Sequence, residues 1–485
     1  MKSLKNNLVN AAVNNAISNK TVRYIAVKKL EEQIRESILN DQSLLFYEEK
    51  LDRYYFVSSV VRQVSKCLDR KFISKDVALR MVKVFMSDSF KINRKAHLTD
   101  IKYEYEKKYG EYPPKFLVLS PEKSCNLECV GCYASCSPGK STHLDFELTR
   151  RIVKDAHDIL GSRFITISGG EPLMYQSQGK TIIDIFDEFK DMFFLMYTNG
   201  TLINQKTAKK LATLGNVVPL ISVEGYEQET DERRGEGVHK KIREALENLR
   251  AAGVPFGISV TATSKNYEIL LTDEFYKYYF EEMGATHMWQ FQLMPIGKGK
   301  DVMDLMITPK QRVELYKKWE YVARTLRYPM ADFWNSSSLC TGCLAYGRWN
   351  GYFYIDFEGK ITPCVFVPYY VDKIQDIYAK GGTLADALQS EFFKNGRRWQ
   401  KDKGFAKTSH QGEYLMMPCS IRDNYENFRQ NILTTDAKGT DKEAEDALKD
   451  EEYRKIMIQY DSELDLLTQK IFNRKYRKSL NPKAI

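Results

Sequence analysis

Two groups of cysteines carry the chemistry that can be read from this chain. Four of its nine cysteines fall in one short stretch, "SPEKSCNLECVGCYASC", at Cys125, Cys129, Cys132 and Cys136. Four more, Cys340, Cys343, Cys364 and Cys419, are spread over a later segment, and Cys67 stands alone. A lone cysteine is most often a small buried hydrophobe. Three thiolates spaced CxxxCxxC on one loop can converge on one centre. Structural zinc usually takes four protein ligands from two separated pairs, so the compact triplet suits an iron-sulfur cluster better. A cubane held by three cysteines keeps one iron open for an exogenous ligand, and Cys136 as a fourth ligand would close it.

These loops need a scaffold. A chain of 485 residues, 43% hydrophobic and 12% aromatic, can bury a large core and exceeds one ordinary domain. Its net charge of +9, from 73 basic and 64 acidic residues, reads as a solvated surface with no expected nucleic-acid role. No apolar run approaches a membrane span, and the first twenty residues lack a continuous apolar signal core. A cytoplasmic setting is expected, where thiols stay reduced and grouped cysteines argue for metal or redox chemistry.

Residues 21–96 have helical rhythm, with Val27, Leu30, Ile34 and Ile38 on one face and Ser74 as a helix cap. A Pro-Pro pair in "KKYGEYPPKF" ends this region. Six short apolar runs follow, 116–120, 164–168, 193–197, 217–223, 256–263 and 288–294, alternating with amphipathic helices such as Leu148 to Leu160, which Gly161 stops. That alternation predicts a parallel sheet in an open or partial barrel, with functional residues just after the strands. The first cysteine group follows strand one, "GGEP" strand two, "TNG" strand three and "EGYEQETDERRGEG" strand four. Beyond Ala331 a hairpin, "YFYIDFEGKITPCVF", turns at Glu358-Gly359, and past Asn424 the chain reads as a charged loop and helix.

CxxxCxxC after the first strand, followed by "ISGGEP" on the second, resembles the radical S-adenosylmethionine (SAM) superfamily over roughly residues 114–295. The resemblance implies an α/β fold: a partial (β/α)6 radical SAM barrel at 113–330, after a helical N-terminal region at 1–112. A [4Fe-4S] cluster on Cys125, Cys129 and Cys132 would bind SAM. Gly169, Gly170, Glu171 and Pro172 would approach it, with Glu171 accepting from its ammonium. Asn199, Ser222 and Glu224 would line the ribose and methionyl region, Arg234 would meet the carboxylate, and Tyr133 would supply an adenine contact. The family usually has a bulky residue before the third cysteine, where this chain has Gly131.

The run Cys343, Gly359, Cys364 and "GGTLADALQSEFFKNGRRWQ" resembles the auxiliary-cluster domain of the SPASM and twitch subgroup, placing a second [4Fe-4S] cluster on Cys340, Cys343, Cys364 and Cys419 in residues 331–425, ahead of a charged helical tail at 426–485. The implied activity is reductive cleavage of SAM and hydrogen abstraction from an unactivated C–H, in an oxidoreductase or a C–C or C–S bond-forming enzyme. Its substrate would be a peptide or protein side chain, a lipid acyl chain or a small metabolite. A low-potential electron donor such as flavodoxin or ferredoxin is the implied partner. The Lys-rich, aromatic N-terminal helices fit either a lid or a peripheral membrane contact. The alternative, a non-enzymatic iron-sulfur or zinc protein for partner binding or electron relay, leaves "ISGGEP" unexplained.

Overall fold

A computed structural model describes residues 11–41, 43–44, 46–86, 95–139, 142–405 and 414–479. The outermost parts of the N-terminal region and of the C-terminal tail lie outside the described residues.

One nine-stranded sheet organises the chain. Its strands in chain order are β1 (Phe116–Leu119), β2 (Phe164–Ile167), β3 (Phe193–Thr198), β4 (Val217–Val223), β5 (Gly257–Ala262), β6 (Met288–Gln292), β7 (Met330–Asp332), β8 (Tyr352–Ile355) and β9 (Ile361–Thr362). The spatial order is β9-β8-β1-β2-β3-β4-β5-β6-β7. Strands β1 to β7 run parallel in sequence order, β8 is parallel to β1, and only β9 is antiparallel, to β8. Parallel neighbours need crossover connections, and helices such as Phe146–Asp158 and Val238–Ala252 supply them. The helix expected at 148–160 starts two residues earlier because the Asp145 side chain caps it, accepting from Leu148 N at 2.8 Å.

All six expected strands are present, but the sheet is larger than a six-stranded barrel. Met330–Asp332 pairs with β6, and the expected hairpin does not stand apart: Tyr352–Ile355 extends the sheet beyond β1, with Tyr352 opposite Phe116. The line drawn at 330 is therefore not an edge of the sheet.

Register places Phe116, Phe164 and Phe193 side by side on the inner face, with centroids 5.6 Å apart for the first pair and 6.0 Å for the second. The helix Lys75–Met86 seals the adjoining end of the barrel: Val84 and Met81 pack with Phe193, Leu195, Val218 and Leu220. Ser74 caps that helix as expected, accepting from Val77 N at 3.2 Å, and its own N–H donates to Gly253 O at 3.0 Å.

Two expectations about the ends are corrected. On the helix Lys20–Leu39, Val27, Ile34 and Ile38 are half-buried as one face but Leu30 is exposed, and the buried residues are Arg23, which binds Asp69, and Glu31, which receives Arg62, both partners on the neighbouring helix Tyr47–Asp69. The C-terminal helix Glu451–Lys475 is more than a solvated tail, since Tyr453, Met457, Tyr460, Leu464 and Phe472 are buried along one side.

Candidate functional site

The cysteine loop leaves β1 and is fixed by backbone bonds to the loop after β2: Gly170 N donates to Glu122 O and Glu171 N to Ser124 O, both at 2.8 Å. The two glycines make this approach feasible. A Cβ on Gly170 would lie 2.1 Å from Ser124 O, and one on Gly169, whose φ is +123°, would lie 2.6 Å from Glu122 O. The glycines of "GGEP" thus seat the cysteine loop as well as facing the cavity.

Cys125, Cys129, Cys132, Cys136, Tyr133, Gly169, Gly170, Asn199, Ser222 and Arg234 line one cavity of about 610 Å³. So do Cys340, Cys343, Cys364 and Cys419, which converge on it from three separate segments. Both cysteine groups therefore share one chamber.

Glu171, Pro172 and Glu224 are not among the lining residues. Glu171 is fully buried and its carboxylate accepts from Thr198 Oγ1 at 2.7 Å, Asn199 N at 2.8 Å and Leu173 N at 3.1 Å. It braces the loops after β2 and β3, which replaces the contact expected with an ammonium group. Asn199 faces the cavity, but its side chain is occupied: Nδ2 donates to Asn126 Oδ1 at 2.9 Å and lies 3.7 Å from Cys125 Sγ, while Oδ1 accepts from Thr201. Glu224 Oε1 accepts from Arg234 Nε at 2.9 Å and Nη2 at 2.5 Å, and from Arg233 Nη1 at 2.5 Å. Two guanidiniums on one carboxylate leave a net positive charge at the cavity wall, beside Cys129 Sγ, which is 3.9 Å from Arg234 Nη1. The sequence reading missed Arg233, although the adjacent "RR" was a signal.

Gly131 has a φ of +66°, and a Cβ there would sit 2.9 Å from Leu293 Cδ1. The position thus has no room for a bulky residue. Tyr133 fills the neighbouring wall, with its hydroxyl 2.9 Å from Ser168 Oγ and its ring 5.6 Å from that of Phe366. Cys136 is buried, and its hydrogen bond to Cys132 holds the Cys132 thiol well below the usual thiol range.

The second group is braced by residues that spacing does not reveal. Arg348 donates to the carbonyls of Cys343, Cys340, Thr341 and Phe405, pinning the CxxC loop. Tyr352, the first residue of β8, has its hydroxyl 2.9 Å from Cys364 Sγ. Cys419 N donates to Asp423 Oδ2 at 3.1 Å, and Asp423 pairs with Arg312 in a fully buried ion pair. Gly342 keeps a φ of +80° against the Phe405 ring, 2.2 Å from where a Cβ would stand.

The donor set suits iron-sulfur clusters. Burial pushes Cys125 up to about 11, Cys340 up to about 11 and Cys364 up to about 12. Thiolates in such surroundings need a cationic centre to offset their burial. Among the described residues no three His, Cys, Asp or Glu side chains form a group that could hold a single metal ion. A cubane binds each thiolate on a different iron and does not demand that convergence.

Comparison with known proteins agrees with this geometry. Residues 120–269 match the radical SAM superfamily. The chain is 25% identical over 294 residues to the AdoMet-dependent heme synthase of Methanosarcina barkeri, covering 54% of this chain and 80% of that protein. It is 24% identical over 291 residues to the sporulation killing factor maturation protein SkfB of Bacillus subtilis, covering 57% and 67%. Of two other relatives the chain spans 58% and 37% of their length. The crystal structure of Streptococcus suis SuiB bound to its precursor peptide SuiA superposes with a TM-score of 0.50 at 18% identity, over 65% of this chain and 75% of that one, which supports the fold.

The fold and the cysteine loop together define a radical SAM domain over residues 120–269. More particularly, the chain is an enzyme whose relatives are radical SAM enzymes of the SPASM and twitch type, and its cofactors are SAM and [4Fe-4S] iron-sulfur centres.

Proposed function

We propose that Cys125, Cys129 and Cys132 hold a [4Fe-4S] cluster whose fourth iron binds SAM, and that Cys340, Cys343, Cys364 and Cys419 hold a second cluster with no open iron. When bound, the first cluster and SAM supply an electron and a carbon-centred radical that takes a hydrogen atom from an unactivated C–H of the substrate. The observation that carries this reading is the single cavity lined by all seven cysteines together with Gly169, Gly170, Ser222 and Arg234.

The chain's own residues bind, orient and shield. Arg233 and Arg234 present their shared positive charge to the SAM carboxylate, with Glu224 fixing their orientation. Gly169 and Gly170 bring backbone to the SAM ammonium. Ser222 faces the methionyl and ribose part, and the Tyr133 ring packs on adenine. Cys136 donates to Cys132 and is not itself a ligand. A low-potential donor such as flavodoxin or ferredoxin supplies electrons in the cytoplasm. Among the described residues no helix is long and apolar enough to cross a membrane.

Anaerobically reconstituted, reduced protein is expected to convert SAM to 5′-deoxyadenosine and to contain about eight iron atoms per chain. Replacing Cys125, Cys129 and Cys132 together by Ala should abolish cleavage and leave about four iron atoms. No cleavage by the parent with its cluster demonstrably reduced, or one zinc in place of the second cluster, defeats the corresponding half of the proposal.

A further inference from the structure

The cavity does not end at the cysteines. It continues down the barrel between inward-facing side chains of the strands: Tyr197 and Phe291, then Val118 and Leu195, and then Phe116, Phe164 and Trp289 toward the strands' N-terminal ends. From Phe164 to Ser168 along β2 this is roughly 13 Å at ~3.3 Å per residue. Ile38, Phe56 and Val57 of the N-terminal helices line it as well, and Val57 is itself 39% exposed.

Its chemistry is uniform. Among the described residues that line it the charged ones are Arg53, Arg233 and Arg234, and none is acidic. Arg53 is paired with Glu49, and Arg233 and Arg234, which share Glu224, stand beside Cys129 at the cysteine-lined end. The barrel-depth part therefore offers no free charge to the carboxylates or ammonium groups of a peptide or tetrapyrrole. It offers aromatic and aliphatic walls, with hydroxyls such as Ser259 and Thr261 among them. A ligand that gains by leaving water for such a passage is an extended hydrocarbon. The N-terminal helices also carry exposed Tyr24, Ile25, Leu30 and Tyr47, so apolar surface continues onto the elements that bound it.

We propose that this apolar passage, lined by Phe116, Phe164, Leu195, Trp289, Phe56 and Val57, binds the long aliphatic chain of a fatty acid or lipid and presents one of its C–H bonds to the cysteine-lined end. The proposal rests on the function argued above and names its substrate class. A free fatty acid and a lipid acyl chain share this chemistry.

Equilibrium dialysis of radiolabelled palmitate against the full-length protein, with both clusters reconstituted and SAM present, tests it. One saturable site per chain is expected. Affinity should rise about fourfold per added methylene across a series of shorter fatty acids, until the passage is filled. Val57→Asp, which places a charge at the helix-lined side, and Leu195→Trp, which fills the interior, should each weaken binding by about tenfold or more. Iron content reports whether each variant is folded and loaded; if Leu195→Trp is not, Val57→Asp decides. Displacement of palmitate by palmitoyl-lysophosphatidylcholine at lower concentration than by unlabelled palmitate points to a lipid source, and the reverse order to a free acid. No saturable binding, no dependence on chain length, or palmitate binding unaltered in the loaded variants overturns the proposal. A parent that forms 5′-deoxyadenosine yet fails to bind palmitate overturns this inference alone, whereas a parent that cannot cleave SAM overturns the function on which it rests.

Discussion

Tyr352 is placed to tune the proposed second centre without being one of its ligands. Its oxygen stands 2.9 Å from Cys364 Sγ in a wholly buried setting, so with Cys364 as a thiolate the O–H donates to sulfur. A donor to a ligand sulfur stabilises the more negative, reduced form of a cluster and raises its potential. Tyr352→Phe keeps the ring that stacks on Phe116 at 5.0 Å and removes only the donor. The second centre's midpoint potential should fall by tens of millivolts, read by potentiometric titration followed by electron paramagnetic resonance, with the first centre unmoved. An unchanged potential would separate Tyr352 from the cluster. Gly170 offers a packing test: Gly170→Ala drives a methyl to 2.1 Å from Ser124 O, and relief requires the Cys125 loop to move. A loss of about 2–3 kcal/mol is expected in chemical unfolding, together with a lower iron content. The cysteines and "GGEP" were legible as residues because their types and spacing are themselves the signal. The partners of Glu171 and Glu224 were not, because a carboxylate in a motif looks the same whether it meets a ligand or braces a loop.

At the scale of elements, the six strands were readable because each is a short apolar run set between amphipathic helices. Met330–Asp332 was not, since a three-residue strand with a buried aspartate has no periodicity to detect. Nor could a hairpin's own pattern reveal that Tyr352–Ile355 would dock beside β1 across more than two hundred residues. The helix Tyr47–Asp69 shows the same limit. Its Glu49, Lys50 and Asp52 are buried although charged, and Asp52 is a junction. It receives Arg324 Nε at 3.0 Å, Ser338 Oγ at 2.8 Å and the Tyr476 hydroxyl at 3.1 Å, while Arg53 Nε donates to Ser338 O at 3.0 Å. The N-terminal helix is thereby tied to the helical stretch around Arg324, to the segment leading into Cys340 and to the C-terminal end. Asp52→Ala leaves Arg324 with a buried partner missing and should cost about 3 kcal/mol. Hydrogen exchange should report it as loosening of residues 47–69 and of the segment around Cys340 together; loosening of the helix alone would deny the coupling.

The whole molecule closes through its C-terminal helix, and that closure carries a pH dependence. Asp461 is partly buried on Glu451–Lys475, with Oδ2 accepting from Tyr425 N at 2.7 Å and Oδ1 buried with no hydrogen-bond partner among the described residues. Burial pushes its carboxyl up to about 8; the Tyr425 N–H opposes this, Asp423 adds to it, and Arg312 and Arg422 offset part of it. An unfolded aspartate loses its proton near about 3.9. Between that value and about 8 the native chain holds one proton more than the unfolded chain, so this group makes stability fall as pH rises through the interval, and its contribution levels off above it. Asp461→Asn has no proton to lose and can still accept from Tyr425. Variant and parent should be close in stability near pH 4, and the variant should gain about 1–3 kcal/mol over the parent by pH 8. Anaerobic urea unfolding of both proteins across that range measures the gap. Parallel stability curves would mean that Asp461 is ionised in the folded protein, with Arg312 and Arg422 holding it charged despite its burial.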